Sequence, residues 1–202
     1  MEIAQIKQLY YREKLSAAEV GKKLGKTVWQ VIRFMKKNNL PRRSQSQTRY
    51  YQFMRQKPSY VKKSHLSLFE QKLNLAGLML YWGEGVKAKT DVVDFVNSNQ
   101  KMVLIFLKML RQIYQIKESK LRVLLYCYAN QNTTKLINFW SKLLKIPKNK
   151  FIKPYVRQDF NPKKINKMPY SLVHIRYCDK KLFSQIMQEI DIISNKYLKL
   201  EW

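Results

Sequence analysis

Glu84 is the residue whose setting most directly suggests chemistry. It closes the string Leu75-Ala76-Gly77-Leu78-Met79-Leu80-Tyr81-Trp82-Gly83-Glu84-Gly85, in which ten of eleven residues carry no charge. The pattern predicts a buried helix stopped by Gly85. A carboxylate there lies at the negative end of the helix macrodipole, which disfavours it by about 0.3–1 kcal/mol. A divalent cation is one source of compensation. Such ions take oxygen ligands, and Mg²⁺ keeps several waters beside one or two carboxylates. In phosphodiester hydrolysis they activate water and stabilise the leaving oxygen. Ala76 and Gly83 are seven residues apart and share a face, small enough for a second helix to approach closely. The string also reads as an ordinary core helix with an exposed glutamate before a turn glycine.

Other polar groups near this point carry weaker signals. Asn97, Ser98 and Asn99 end a strand-like segment; they either position a water beside a metal or cap the next helix, and Asn99 reads as the cap. Lys87 and Lys89 follow Glu84 closely, to touch a scissile phosphate or to lie in solvent. His65 and His174 have no metal-ligand partners at useful spacing and read as structural. Cys127 and Cys178 fall in strand-like segments without CxxC spacing, as buried thiols of a reducing cytoplasm. The chain contains no P-loop, no zinc pattern and no Ser-His-Asp arrangement of familiar spacing.

Charge narrows the choice of partner. The 202 residues carry a net charge of +27 with only 13 acidic groups, and nucleic acid is the leading polyanionic partner for such a chain. An AT-rich codon bias would raise lysine, asparagine and isoleucine, but would not by itself suppress Asp and Glu. Between Val20 and Phe69 there are thirteen Lys or Arg and no acid. No apolar run reaches the ~18 residues of a membrane span, and no signal peptide is evident at the N-terminus, so a cytoplasmic protein is expected.

The positioning elements follow from periodicity. Residues Glu2–Lys14 form an amphipathic helix pattern. Ser16 and Glu19 make a capping box for a helix Ala17–Leu24 that ends at Gly25, and Thr27 caps a helix Val28–Asn38 stopped by Leu40-Pro41. Val20, Leu24, Val28, Val31, Ile32 and Met35 would pack the two together. Helix, glycine-containing turn, helix is the helix-turn-helix plan. Its outer face offers Lys26, Trp29, Gln30, Arg33, Lys36 and Lys37. The domain is expected over 1–45, followed by a basic linker at 46–65. Arg42 and Arg43 read either as a minor-groove arm or as part of a solvated linker.

From Leu66 the chain reads as one α+β domain, 66–202. Its expected elements are a helix Ser67–Trp82, a strand Asp91–Val96 and a helix Asn99–Gln115. A strand Leu121–Tyr128 follows, then a helix Thr134–Lys145, strands Phe151–Arg157 and Tyr170–Tyr177, and a helix Lys180–Ser194. A basic loop with Lys163, Lys164 and Lys167 joins the last two strands. In Leu121–Tyr128, Leu121, Val123, Leu125 and Cys127 face one way, and Arg122, Leu124, Tyr126 and Tyr128 the other.

The apolar helix ending in an acid-Gly pair resembles the LAGLIDADG homing-endonuclease motif. The first 45 residues resemble the resolvase-like helix-turn-helix domains over about 30 residues. The order after Leu66 approximates the α-β-β-α-β-β-α unit of the LAGLIDADG family, with one helix inserted. The string Leu75-Ala76-Gly77 is out of register with Glu84-Gly85: with Glu84 at the acid position, the first small residue of the family pattern falls on Met79. The resemblance implies a metal-dependent double-strand DNA endonuclease using Mg²⁺ or Mn²⁺. Glu84 would be its metal ligand, with Lys87 and Asn97 beside it. The chain has one motif copy, so two carboxylates require a homodimer through the 67–84 helix, with Ala76, Met79, Leu80 and Gly83 at the interface. The resemblance also implies a sheet saddled over DNA, with Arg122, Tyr126, Tyr128, Lys153, Arg157 and Arg176 facing the duplex. Alternatives are a cleavage-deficient DNA-binding regulator on the same fold, or an RNA-binding splicing cofactor.

Overall fold

A computed structural model describes residues 1–88, 91–158 and 168–198. The chain forms two compact units, Met1–Lys57 and Pro58–Trp202.

The first unit is all helical. A short turn α1 (Ile3–Ile6) runs into a π-helix (Lys7–Arg12), so the single helix expected over Glu2–Lys14 changes its winding. Helix α2 (Ala17–Leu24) begins with Glu19 N–H donating to Ser16 Oγ at 3.2 Å and Ser16 N–H donating to Glu19 Oε2 at 2.7 Å. Helix α3 (Val28–Lys37) is capped the same way by Thr27 and Gln30. Between them Gly25 adopts φ +63°, which a glycine accepts without strain. Gly21 is also required: a Cβ there would lie 2.5 Å from the Lys26 carbonyl oxygen. Ile6, Tyr10, Val20, Val31 and Met35 are buried together. Val28, expected in that core, is 43% exposed because it starts α3 on its outer side.

The first half of the segment expected as linker, 46–65, is helical, and the boundary between the two units falls inside that segment. Residues Gln45–Arg55 form helix α4, capped by Ser44 and Gln47. Arg55 pairs with both carboxylate oxygens of Glu19, at 2.7 and 2.8 Å, which ties α4 to α2.

The second unit is an α+β structure. Helix α5 (Leu68–Glu84) passes directly into the two-residue strand β1 (Gly85–Val86). Then come β2 (Val93–Asn97), α6 (Gln100–Gln112), β3 (Leu121–Tyr128), α7 (Thr133–Leu144), β4 (Tyr155–Arg157), β5 (Leu172–Tyr177) and α8 (Lys180–Leu198). The sheet order is β1-β2-β5-β3-β4, antiparallel except for the β3–β4 pair. Strand β4 is shorter than the expected Phe151–Arg157. Phe151 makes an isolated parallel bridge to Val123 of β3, but Pro154 has no N–H to donate, and the continuous ladder begins at Tyr155.

The alternation of β2, β5 and β3 divides the sheet into two faces. Val93, Phe95, Val173, Ile175, Tyr177, Leu121, Val123, Leu125 and Cys127 are buried in one cluster with residues of α5, α6, α7 and α8. Phe106 of α6 stacks between Phe95 and Tyr81, at 4.4 and 5.6 Å. Cys178, expected as a second buried thiol, lies just past β5 and is exposed.

Helix α5 is fixed against α6 by a close approach. A Cβ at Gly77 would lie 2.3 Å from Met109 Sδ and 2.8 Å from its Cβ. Gly77→Leu is therefore expected to destabilise the unit by about 1–3 kcal/mol in denaturant melts. That loss exceeds the ~1 kcal/mol of helix propensity that the side chain adds.

Candidate active site and nucleic-acid surfaces

Glu84 owes its position to an abrupt helix-to-strand transition. Gly85 stops the helix as expected, but with φ −76° and ψ 143°, so positive φ is not the reason for glycine here. Close packing is. A Cβ on Gly85 would lie 2.4 Å from the Tyr81 carbonyl oxygen and 2.6 Å from the Tyr81 ring. Gly85 pairs with Phe95 and Val86 with Asp94, so the helix end is stitched at once to β2. Tyr81 donates its hydroxyl proton to the Val86 carbonyl at 3.1 Å. Burial pushes the Tyr81 hydroxyl up to about 12, so it keeps the proton it donates at neutral pH.

The Glu84 side chain is exposed and makes no hydrogen bond or ion pair among the described residues. It borders an open depression of about 610 Å³. Asn97, Tyr126 and His174 share that rim, with Val96 and Leu172 among the apolar lining. Asn97 Oδ1 accepts a hydrogen bond from Asn99 N–H at 2.7 Å, and Asn99 in turn caps α6 through Lys101 N–H and Met102 N–H. Lys87 is exposed outside the depression, with its ammonium donating to the Gly85 carbonyl at 3.0 Å. Lys89, Lys163, Lys164 and Lys167 lie outside the described residues.

The sheet face opposite the core carries the other expected side chains. In register, Asp94 of β2 sits beside Arg176 of β5, which sits beside Arg122 of β3. Arg176 lies 3.2 Å from Asp94 and is half-buried. Arg122 donates to the Ser119 and Leu121 carbonyls, each at 2.8 Å. Both arginines are thus partly committed to the protein. Tyr126 packs between His174 and Tyr155, with ring centroids 4.5 and 5.0 Å away. Tyr128 is half-buried, and Lys153 and Arg157 are exposed.

Of the expected helix-contact residues, Ala76 and Gly83 are exposed, and a Cβ at Gly83 would meet nothing within 4 Å. Met79 and Leu80 are half-buried and pack on the core cluster. The open side of α5 also presents Leu75 and Trp82, 38% and 49% exposed.

In the first unit Trp29 is 79% exposed at the start of α3, and Arg33, Lys36, Lys37 and Arg42 are exposed. Gln30 spends its side-chain oxygen on the Thr27 N–H. Arg43 is not a free arm residue. Its guanidinium lies 4.1 Å from the Tyr10 ring centroid and donates to the Lys14 and Leu15 carbonyls. The reason is that the chain from Pro41 folds back on this unit: Tyr11 donates to the Pro41 carbonyl at 2.7 Å, and Arg43 N–H donates to Tyr10 Oη at 3.0 Å.

The sequence alone reads His174, which lines the depression, as structural, and does not single out Asp94. Asp94 and His174 are each 8% exposed and hydrogen-bond to each other at 3.0 Å, so His174 has a carboxylate partner 80 residues away. Period-two alternation groups His174 with Arg176; nothing in the sequence pairs β2 with β5.

Among the described residues, no group of three or more His, Cys, Asp or Glu side chains could hold a metal ion, and no helix is long and apolar enough to cross a membrane. No family model, curated protein or solved structure matches the chain.

Gly85→Ala is expected to lower stability by about 1–3 kcal/mol in thermal or denaturant melts, because its methyl meets backbone. Gly83→Ala, with open space for the same methyl, is expected not to lower it.

Proposed function

We propose that the chain is a metal-dependent double-strand DNA endonuclease of the LAGLIDADG type, acting as a homodimer. The observation that carries this reading is the setting of Glu84. It is a free carboxylate at the end of α5, beside an open sheet face that bears arginine and tyrosine. The element order supports it: helix ending in an acid, two strands, helix, strand, then a final strand and helix, with α7 and β4 as additions.

One chain brings one such carboxylate, and a second copy would bring its equal. The open side of α5 suits that copy, because Leu75 and Trp82 are apolar while Ala76 and Gly83 leave room for a neighbouring backbone. Glu84 from each of two copies would hold Mg²⁺ or Mn²⁺, which supplies charge stabilisation at the scissile phosphate. Arg33, Lys36, Lys37 and Arg42 on the first unit, and Lys153 and Arg157 on the second, supply salt-dependent phosphate contacts. Trp29 and Tyr126 are placed for contacts to sugar or base edges.

A cleavage-deficient DNA-binding regulator on the same fold is the second reading. The observation that favours it is that the described part of one chain gathers no metal-holding group by itself.

Cleavage of a supercoiled plasmid library separates them. Nicked and linear products are expected with Mg²⁺ or Mn²⁺ and not with EDTA, and Glu84→Gln is expected to lose them while still binding DNA. Tight, sequence-selective binding without cleavage in either metal would establish the regulator. Preference for structured RNA over duplex DNA at equal salt would favour an RNA-binding role.

Gly83→Leu tests the assembly. It is expected to convert a dimer to a monomer in light scattering while the thermal melt shows a folded chain, because a Cβ at this position meets nothing within 4 Å in its own chain. A dimer that survives the change would place the contact elsewhere.

A further inference from the structure

The sheet face beside Glu84 holds a polar pair that stability alone does not explain. Asp94 and His174 are more than nine-tenths buried, although alternation puts them on the sheet face opposite the apolar cluster. Burying a carboxylate and an imidazole carries a desolvation cost, and well-packed apolar residues of similar volume often do as well.

The pair leaves one particular atom without a partner among the described residues. His174 Nδ1 lies 3.0 Å from Asp94 Oδ1. A carboxylate only accepts, so the proton in that bond belongs to Nδ1, and the neutral ring carries its lone pair on Nε2. Arg176 sits 3.2 Å from the other carboxylate oxygen, so Asp94 is held from both sides. The Tyr126 ring packs on the imidazole at 4.5 Å and fixes its plane. Nε2 is buried and has no hydrogen-bond partner among the described residues. A buried nitrogen left unpaired is costly, so it calls for a function or a guest. His174 lines the same depression as Glu84.

We propose that His174, oriented by Asp94, is the proton acceptor for the attacking water at the Glu84 site. The assignment rests on the nuclease reading. The water gives one proton to Nε2 as its oxygen bonds to phosphorus. The bridging P–O bond breaks, its electron pair leaves with the bridging oxygen, and that oxygen takes a proton from solvent. The imidazolium then returns its proton to solvent. Asp94 is a positioning residue: it sets the tautomer and the ring orientation without touching the reacting atoms.

The test uses single-turnover cleavage of the supercoiled plasmid library with Mg²⁺ or Mn²⁺, alongside plasmid affinity and a thermal melt. His174→Ala is expected to slow cleavage by about 10²–10⁴-fold with unchanged affinity. Added imidazole is expected to restore part of the rate, which a merely structural role would not allow. If His174→Ala melts early, His174→Gln provides the comparison, since it offers Asp94 a donor but has no lone-pair nitrogen. Asp94→Asn is expected to slow cleavage and to change the ¹⁵N signature of the His174 ring, whose neutral form in the wild type is expected to be the Nδ1–H tautomer. Wild-type rates in His174→Ala or His174→Gln, or failure of imidazole to rescue a folded His174→Ala, overturn the proposal. If Glu84→Gln then still abolishes cleavage, the nuclease reading stands without it. If the wild-type chain cleaves in neither metal, both fall.

Discussion

The closeness of α5 to α6 sets most of what matters in the second unit. With no side chain at Gly77, the helix settles against Met109, and that contact fixes its rotation. Leu73, Leu78 and Tyr81 then turn inward, where each buried side chain of this size contributes about 1.5–3 kcal/mol. Leu75, Ala76, Trp82 and Gly83 are left on the outside. Rotation of the helix also decides where its last residue emerges. The backbone contact at Gly85 carries that choice straight into β1, with no loop to blur it. A carboxylate on a strand-anchored helix end holds its place more firmly than one on a mobile turn, as metal and phosphate chemistry requires.

Much of the architecture was readable because its signals are local. Strand β3 spans Leu121–Tyr128, as alternation alone indicates. The Ser16–Glu19 pair marks the start of α2, and Gly25 its end. Helix α4 escaped because its residues lack an apolar stripe, although Ser44 and Gln47 carried the same start signal. Packing through Arg55 and Arg43 stabilises that region, and such contacts have no sequence period. The depression divides in the same way. Glu84, Asn97 and Tyr126, which share its rim, stand out from a helix end, a strand end and an alternation. The Asp94–His174 pair depends on two strands meeting across 80 residues, which hydrophobic pattern cannot announce.

The excess of positive charge is not spread as one uniform coat. Arg43 and Arg55 spend their donors on carbonyls and a carboxylate of their own unit, and Arg176 faces Asp94. Counting arginines therefore overstates the cations open to a polyanion. Trp29 and the lysines of α3 stay outside. Each released counterion adds to salt sensitivity, so in the proposed reading these exposed groups would govern how binding to a polyanion responds to ionic strength.

The sheet ends on both sides in strands of only two and three residues, β1 and β4. Pro154 removes a donor immediately before the second of these. A long bare edge would recruit another chain through its unpaired N–H and C=O groups. Here neither margin offers enough ladder to do so. The sheet is thereby guarded against open-ended growth into fibrils. Any self-association of the kind proposed would be steered away from backbone pairing and toward side-chain packing between helices, which can close on itself and stop at two.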